Sequence, residues 1–241
     1  MAWSRASGWP VSHMLPRRAG WTWLWLLLLH GFPSGAAETN RWDREMAAFA
    51  EADRRDPPRP GGVLFYGSSS FRRWTNLARA FPGHRVVNRG FGGSRMSDLV
   101  EHAAVAVVPH VPRLVLVYAG DNDIADGKSA AVVDRDFRAL VALVHRSLPE
   151  TRVAFVAIKP SPARARWQPE QIEANRRIRR WARWRRQVDF LDAATPVTDA
   201  RGRPDPRFFI DDRLHLNDAG YRRWVEVLGP YLDRWAPLAS R

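Results

Sequence analysis

The chain reads as a doubly wound parallel α/β domain of five strands, and three observations predict it. From residue 40 onward, short β-prone runs alternate with segments of helical periodicity. The runs Val63 to Tyr66, Leu114 to Tyr118 and Val153 to Ile158 are continuously apolar rather than alternating, as strands covered on both faces require. Polar clusters then follow the strands directly, at the end of the sheet where such folds bind ligands. A length of 241 residues with 45% apolar content suits one domain with a sizeable core.

Each element has its own signal. Trp42, Met46 and Phe49 recur at i, i+4 and i+7 and predict an amphipathic opening helix over 40–54, ended by Asp56-Pro57-Pro58-Arg59-Pro60-Gly61-Gly62. Strand one is 63–66, and a helix or helical turn over 71–80 stops at Phe81-Pro82-Gly83. Strand two, 85–88, leads into the glycine-rich turn Gly90 to Ser94. Ser97 is placed to cap a helix running to about Val107. Strand three, 114–118, runs into Gly120-Asp121-Asn122-Asp123. A helix over 129–147 then buries Val133, Phe137, Leu140, Val141 and Val144. Strand four is 153–158, and the loop after it, Lys159 to Pro169, carries three prolines and Trp167. An arginine-rich helix and a short fifth strand, 188–191, follow. An irregular stretch over 192–216 precedes a last helix that Asn217 can cap and Pro230 should break or kink.

The first 37 residues differ from the rest. Arg17 and Arg18 precede the apolar run 21–29, and Ser34-Gly35-Ala36-Ala37 follow; basic, apolar, then small is the order of a secretory signal peptide. Cleavage is expected near Ala36 or Ala37, leaving a domain over 38–241. The other reading is an uncleaved anchor through 21–29, although that run is short for a membrane span. Export to a periplasm or to the medium is the expectation.

The chain has no cysteine, which excludes a disulfide framework, a cysteine nucleophile and a thiolate metal site. The net charge is +13; Arg5, Arg17 and Arg18 of the first 37 residues account for three of these charges, which leaves +10 for the rest. Lysine occurs only at Lys128 and Lys159. The densest basic run, Arg176 to Arg186, offers a contact for an anionic surface. Ala174, Ile178, Trp181 and Ala182 fall at helical spacing within or beside it, so the plainer reading is one packed stripe with the arginines facing water.

The stretch Val63 to Phe71 is a candidate site, although taken alone its serines read better as a helix cap. Four apolar residues meet Gly67, and Ser68, Ser69 and Ser70 follow before an apparent helix. A hydroxyl there sits at the end of a buried strand beside unpaired helix N–H groups, although serines in that place also simply cap helices. Three further clusters change the balance: Gly90 to Ser94, Gly120 to Asp123, and Asp211-Asp212-Arg213-Leu214-His215. Ester hydrolysis needs a hydroxyl, an imidazole to take its proton, a carboxylate to orient that imidazole, and N–H donors for the oxyanion. Ser69, His215 and Asp212 can fill the first three roles. The Ser69 and Gly93 backbone N–H groups and the Asn122 amide are candidates for the last. Singly, His215 could be a core histidine, Asn122 and Asp123 could shape a turn, and Asp212 could pair with an arginine.

Over residues 60–235 the sequence resembles the SGNH hydrolases, also called GDSL-type esterases/lipases. Gly67-Ser68-Ser69 falls on the family's first block, and the resemblance implies Ser69 as nucleophile. Gly93 falls on the oxyanion glycine of the second, Gly120-Asp121-Asn122-Asp123 on the third with Asn122 as oxyanion donor, and Asp212-Arg213-Leu214-His215 on the last, as acid and base. Ser68 stands where the family usually has aspartate, which leaves Ser68 and Ser70 as alternative nucleophiles. The resemblance implies a flavodoxin-like three-layer αβα fold and an esterase that works without cofactor or metal. Its expected substrate is a short-chain ester, often acetyl, on a carbohydrate or lipid. A thioesterase, a lysophospholipase and a non-catalytic binder of anionic polymers are the alternatives. No specific nucleic acid is expected, and no membrane contact beyond the leader. Trp74 and Trp167 are candidates to stack on a sugar, with plain packing as the equal alternative. Gly67 to Phe71 lacks the last glycine of a Gly-x-Ser-x-Gly elbow, and neither lysine has a serine three residues before it.

Overall fold

The structure, a computed structural model, describes residues 41–236. Five parallel strands form one sheet in the order β2-β1-β3-β4-β5: β1 (Val63–Gly67), β2 (Val86–Gly90), β3 (Leu114–Tyr118), β4 (Arg152–Val156) and β5 (Val188–Leu191). Chain progression reverses between β1 and β3. That is the switch point where doubly wound sheets open a crevice beyond the strand ends. The expected αβα architecture is therefore present, with the flavodoxin-like strand order.

Alternate strand residues feed two separate cores. Leu64, Tyr66, Val115, Val117, Val153 and Phe155 face α1 (Asp43–Arg55), α4 (Met96–Ala106), α6 (Ala130–Ser147) and α7 (Gln168–Ala182). Phe65, Leu116, Tyr118, Ala154 and Val156 face α2 (Ser69–Arg72), α3 (Leu77–Ala80) and α8 (Asp218–Trp235). Burial on both faces explains why these strands read as continuous apolar runs. The five residues expected to form the buried stripe of α6 are all buried. On α7 the buried stripe is Gln171, Ala174, Ile178 and Ala182, with Trp181 half-buried, and the arginines of 176–186 face solvent. Between β1 and β3 the backbones nearly touch at Gly67, where a Cβ would stand 2.2 Å from the Tyr118 carbonyl oxygen. Only glycine lets the strand end this close to its neighbour.

Several boundaries depart from expectation. The helix expected over 71–80 is two single turns, α2 and α3, because the chain between them turns to bury Trp74 at 1% exposure against Phe65, Phe81 and Tyr221. Ser97 does not cap α4. The Asp98 carboxylate accepts from the Arg95 N–H (2.8 Å) and Asp123 accepts from the Met96 N–H (2.9 Å), so carboxylates cap this helix. Strand four ends at Val156; beyond it the Asn175 side-chain amide takes both backbone groups of Ile158, each at 2.9 Å. Pro230 lies inside α8, which continues unbroken to Trp235. Gly229 before it has no Cβ to meet the pyrrolidine ring, which removes part of the usual clash. The residues expected to form a leader, 1–37, lie outside the described ones. Among the described residues no helix is long and apolar enough to cross a membrane.

Candidate active site

At the end of β1 the Ser68 N–H still pairs with the Tyr118 carbonyl (2.9 Å), and the chain then turns directly into α2. Three serines crowd this turn, with different fates. Ser68 is fully buried and its hydroxyl has no hydrogen-bond partner among the described residues, and Ser70 is 1% exposed. Ser69, half-buried, is the one that reaches His215: its Oγ lies 2.8 Å from His215 Nε2. The turn is held from behind, where the Tyr221 hydroxyl donates to the Ser70 carbonyl (2.8 Å) and the Asn88 amide to the Phe71 carbonyl (2.7 Å).

His215 arrives from the irregular segment before α8. A tight loop closes through the Arg213 N–H to the Ile210 carbonyl (2.8 Å) and the Ile210 N–H to the His215 carbonyl (2.9 Å). Arg213 has φ 57°, a left-handed conformation that L-residues adopt at a cost of about 1 kcal/mol. The loop sets Asp212 against the imidazole. Oδ2 lies 2.6 Å from His215 Nδ1, and Oδ1 accepts from the backbone N–H groups of Leu214 and His215, each at 2.9 Å. Partial burial alone would raise the Asp212 carboxyl. The His215 and Leu214 N–H groups and the imidazole outweigh it and bring the carboxyl down to about 2. Asp212 is thus anionic at neutral pH and aimed at the imidazole edge opposite Ser69.

The second and third clusters meet beside this pair of loops. Gly93 has φ +81°, which favours glycine, and neither its N–H nor that of Ser69 has a hydrogen-bond acceptor among the described residues. Gly120 (φ +114°) starts α5 (Asp121–Ala125). The Asn122 amide is buried there and donates from Nδ2 to the Ser94 carbonyl (2.9 Å), which ties the third cluster to the second. One Nδ2 hydrogen remains. Asp123 is fully buried and braces the scaffold, accepting from the Met96 N–H and from Lys128 Nζ (3.0 Å); its carboxyl is raised by desolvation against those two opposing bonds.

Two residues were missed in the sequence. Lys159, 1% exposed, donates from Nζ to the Leu214 carbonyl (2.7 Å) beside His215; burial lowers its ammonium to about 8, opposed by the charges of Asp121 and Asp212. Arg164 donates from Nη2 to Asn122 Oδ1 (2.8 Å), and its Nη1 lies 3.0 Å from Asp121 Oδ2. Lys159 did carry a signal, since it is one of only two lysines in the chain and stands just past a strand end. Arg164 carried none among so many arginines. Trp74 is a core residue and no part of the site, while Trp167 is half-buried and packs against the core that α1, α4, α6 and α7 cover.

Residues 54–223 match the GDSL-like Lipase/Acylhydrolase family. The chain belongs to that family. The family points to an ester-hydrolysing serine hydrolase. Solved structures share the fold. A protein from Streptococcus pneumoniae named for platelet activating factor aligns with a TM-score of 0.71 at 21% identity, over 79% of this chain and 92% of that one. A GDSL-like lipase from Bacteroides thetaiotaomicron aligns at 0.64 with 18% identity, over 80% and 96%. A carbohydrate esterase family 3 protein from Talaromyces cellulolyticus aligns at 0.57 with 17% identity, over 72% and 97%. No curated protein matches the chain. In this GDSL-like acylhydrolase no group of three or more histidine or acidic side chains among the described residues could hold a metal ion. A cleft of about 500 Å³ opens at the same end of the sheet, between α7 and the 194–202 loop, with Pro160, Gln171, Ile172 and Thr198 among its walls.

Proposed function

We propose that the chain is an exported serine esterase that removes a short acyl group, acetyl foremost, from a carbohydrate or lipid ester through an acyl-enzyme. One observation carries the reading: the Asp212–His215–Ser69 chain of hydrogen bonds, at 2.6 and 2.8 Å, beside a buried amide and two N–H groups that have no acceptor among the described residues. With its Nδ1 proton donated to Asp212, the imidazole presents a lone pair at Nε2 to the serine hydroxyl. As Ser69 Oγ attacks the ester carbonyl, the hydroxyl proton of Ser69 moves to Nε2, and Asp212 steadies the resulting imidazolium. The carbonyl oxygen becomes an oxyanion, for which the N–H groups of Ser69 and Gly93 and the second Nδ2 hydrogen of Asn122 are the donors. Donors of this kind are worth about 10²–10³ in rate each. His215 returns the proton to the leaving alcohol. Water then gives a proton to the same nitrogen as its oxygen attacks the acyl carbon, and His215 passes that proton to Ser69 Oγ as the bond to the acyl group breaks and the acid leaves.

The acetyl and carbohydrate assignment draws on the family resemblance and on the carbohydrate esterase among the structural neighbours. Export draws on the basic, apolar, small order of the first 37 residues. A thioesterase or lysophospholipase would use the same machinery, and the length of acyl chain accepted separates these readings. A binding module with an idle serine fits poorly with a hydroxyl already bonded to an oriented imidazole. The test is an acyl-length series of chromogenic esters with the wild type, Ser69→Ala and His215→Ala. Fastest turnover on acetyl, lost by at least about a thousandfold in both variants, is expected. Preference for long acyl chains overturns the substrate assignment, and full turnover by Ser69→Ala overturns the mechanism.

A further inference from the structure

We propose that Arg164 is a positioning residue of the oxyanion site: it fixes the Asn122 amide so that its nitrogen, and not its oxygen, faces the reacting carbonyl. The inference rests on the serine-esterase reading above and adds to it a residue outside the four sequence clusters.

A side-chain amide is nearly symmetric in shape, and the two orientations have opposite chemistry: one donates to an oxyanion and the other repels it. Asn122 therefore needs partners that tell its ends apart. The Ser94 carbonyl, 2.9 Å from Nδ2, accepts only from nitrogen. The guanidinium of Arg164, 2.8 Å from Oδ1, donates only to oxygen. Flipping the amide would set carbonyl against carbonyl and N–H against N–H, and so lose both bonds. A cationic donor on Oδ1 also draws charge from the amide and strengthens its remaining N–H as a donor.

The guanidinium is itself held in place. Nη1 lies against Asp121 Oδ2, the carboxylate one residue before Asn122, in a site where the two side chains are 15% and 5% exposed. The backbone of Arg164 (φ −119°, ψ 22°) departs from helical angles inside the 3₁₀ segment Pro162–Trp167. The same stretch also grips the loop of the base. The Ala163 N–H donates to the Arg213 carbonyl (3.0 Å) and Lys159 Nζ to the Leu214 carbonyl. Residues 159–164 thus join the oxyanion donor on α5 to the loop carrying His215, two groups that must meet one substrate from different directions.

The test is a double-mutant cycle on an acetyl ester with the full chain: wild type, Arg164→Met, Asn122→Ala and the pair, with Ser69→Ala as the control for the esterase reading itself. If Arg164 acts through Asn122, Arg164→Met lowers kcat by about 10–100-fold with KM within about twofold. Asn122→Ala lowers it by about 10²–10³, and adding Arg164→Met to Asn122→Ala costs nothing more. Affinity for a boronic acid, which mimics the tetrahedral state, falls in Arg164→Met by the same factor as kcat. Because Arg164→Met strands a buried carboxylate, Asp121→Asn combined with it serves as the neutral variant and is expected to give the same kinetic result. Multiplicative losses in the pair, or a loss confined to KM, overturn the inference while leaving the esterase intact. An active Ser69→Ala overturns the esterase reading instead.

Discussion

Replacing Asp212 by asparagine should be at least as damaging as replacing it by alanine, and the geometry says why. Oδ1 of Asp212 holds two backbone N–H groups, of Leu214 and His215, while Oδ2 holds one imidazole N–H. An asparagine keeps its single oxygen where two donors already point, because the opposite orientation gives up two hydrogen bonds to gain one. At about 1 kcal/mol net per bond, that preference is about 1–2 kcal/mol, and more once N–H against N–H repulsion is included. The amide nitrogen then faces His215 Nδ1 as a donor and makes that atom an acceptor. The imidazole proton moves to Nε2, where it points at Ser69 and leaves no lone pair to accept the hydroxyl proton. The expected result is a kcat on an acetyl ester lowered by about 10³–10⁴, the scale seen where a serine hydrolase is forced into the wrong tautomer. Alanine removes the orienting group without imposing that tautomer and should cost the same or less. The assay is kcat at neutral pH for the wild type and both variants, with thermal unfolding to show that each is folded. Retention of more than about a tenth of wild-type kcat in Asp212→Asn, or an alanine variant far slower than the asparagine one, refutes the reasoning.

Three further outcomes follow from the same geometry. The Asp212 carboxyl is lowered in the fold to about 2 from an unfolded value of about 3.9, so its stabilising contribution is present above about pH 4 and lost as pH falls toward 2; urea unfolding of the wild type and Asp212→Asn should differ at neutral pH and converge near pH 2, by a margin kept small because this side chain is 39% exposed. Gly67→Ala would place a Cβ 2.2 Å from the Tyr118 carbonyl, between two strand backbones that cannot part without breaking the ladder; a loss of about 3 kcal/mol in denaturant titration is expected, and a loss under about 1 kcal/mol contradicts the close packing of β1 on β3. Trp74→Ala should cost about 3–5 kcal/mol of stability, since the ring is buried and stacks on Tyr221 at 4.7 Å, with KM for a sugar acetate unchanged; a raised KM in a folded variant would return this residue to the site.

Much of the fold was legible in the chain because it depends on local pattern. The continuous apolar strands and the 3.6-residue stripe of α6 are properties of a few consecutive residues, and β3, β5 and α6 lie within a residue of where the periodicity puts them. What failed were features decided by distant partners. Trp74 reads equally as a sugar platform or as packing until α8 supplies Tyr221 and Trp224 and decides for packing; Ser97 reads as a cap until Asp123, 26 positions later, takes the Met96 N–H instead. Pro230 reads as a break on propensity alone, which the packing of Leu228 and Leu232 into the second core overrides.

The four clusters that meet at the crevice were readable for a different reason: each must bring its own backbone, as a glycine, a serine at a strand end or an Asp-x-x-His spacing, and backbone demands leave traces in sequence. The segment 159–164 makes no such demand. Its lysine and arginine act through long side chains whose targets lie 55 and 42 positions away, and in a chain rich in arginine a single one bears no mark of its use. Reading such residues requires knowing what the side chain touches. Short polar residues tied to the backbone announce a site, whereas the long cations that hold its parts in register become visible only in three dimensions.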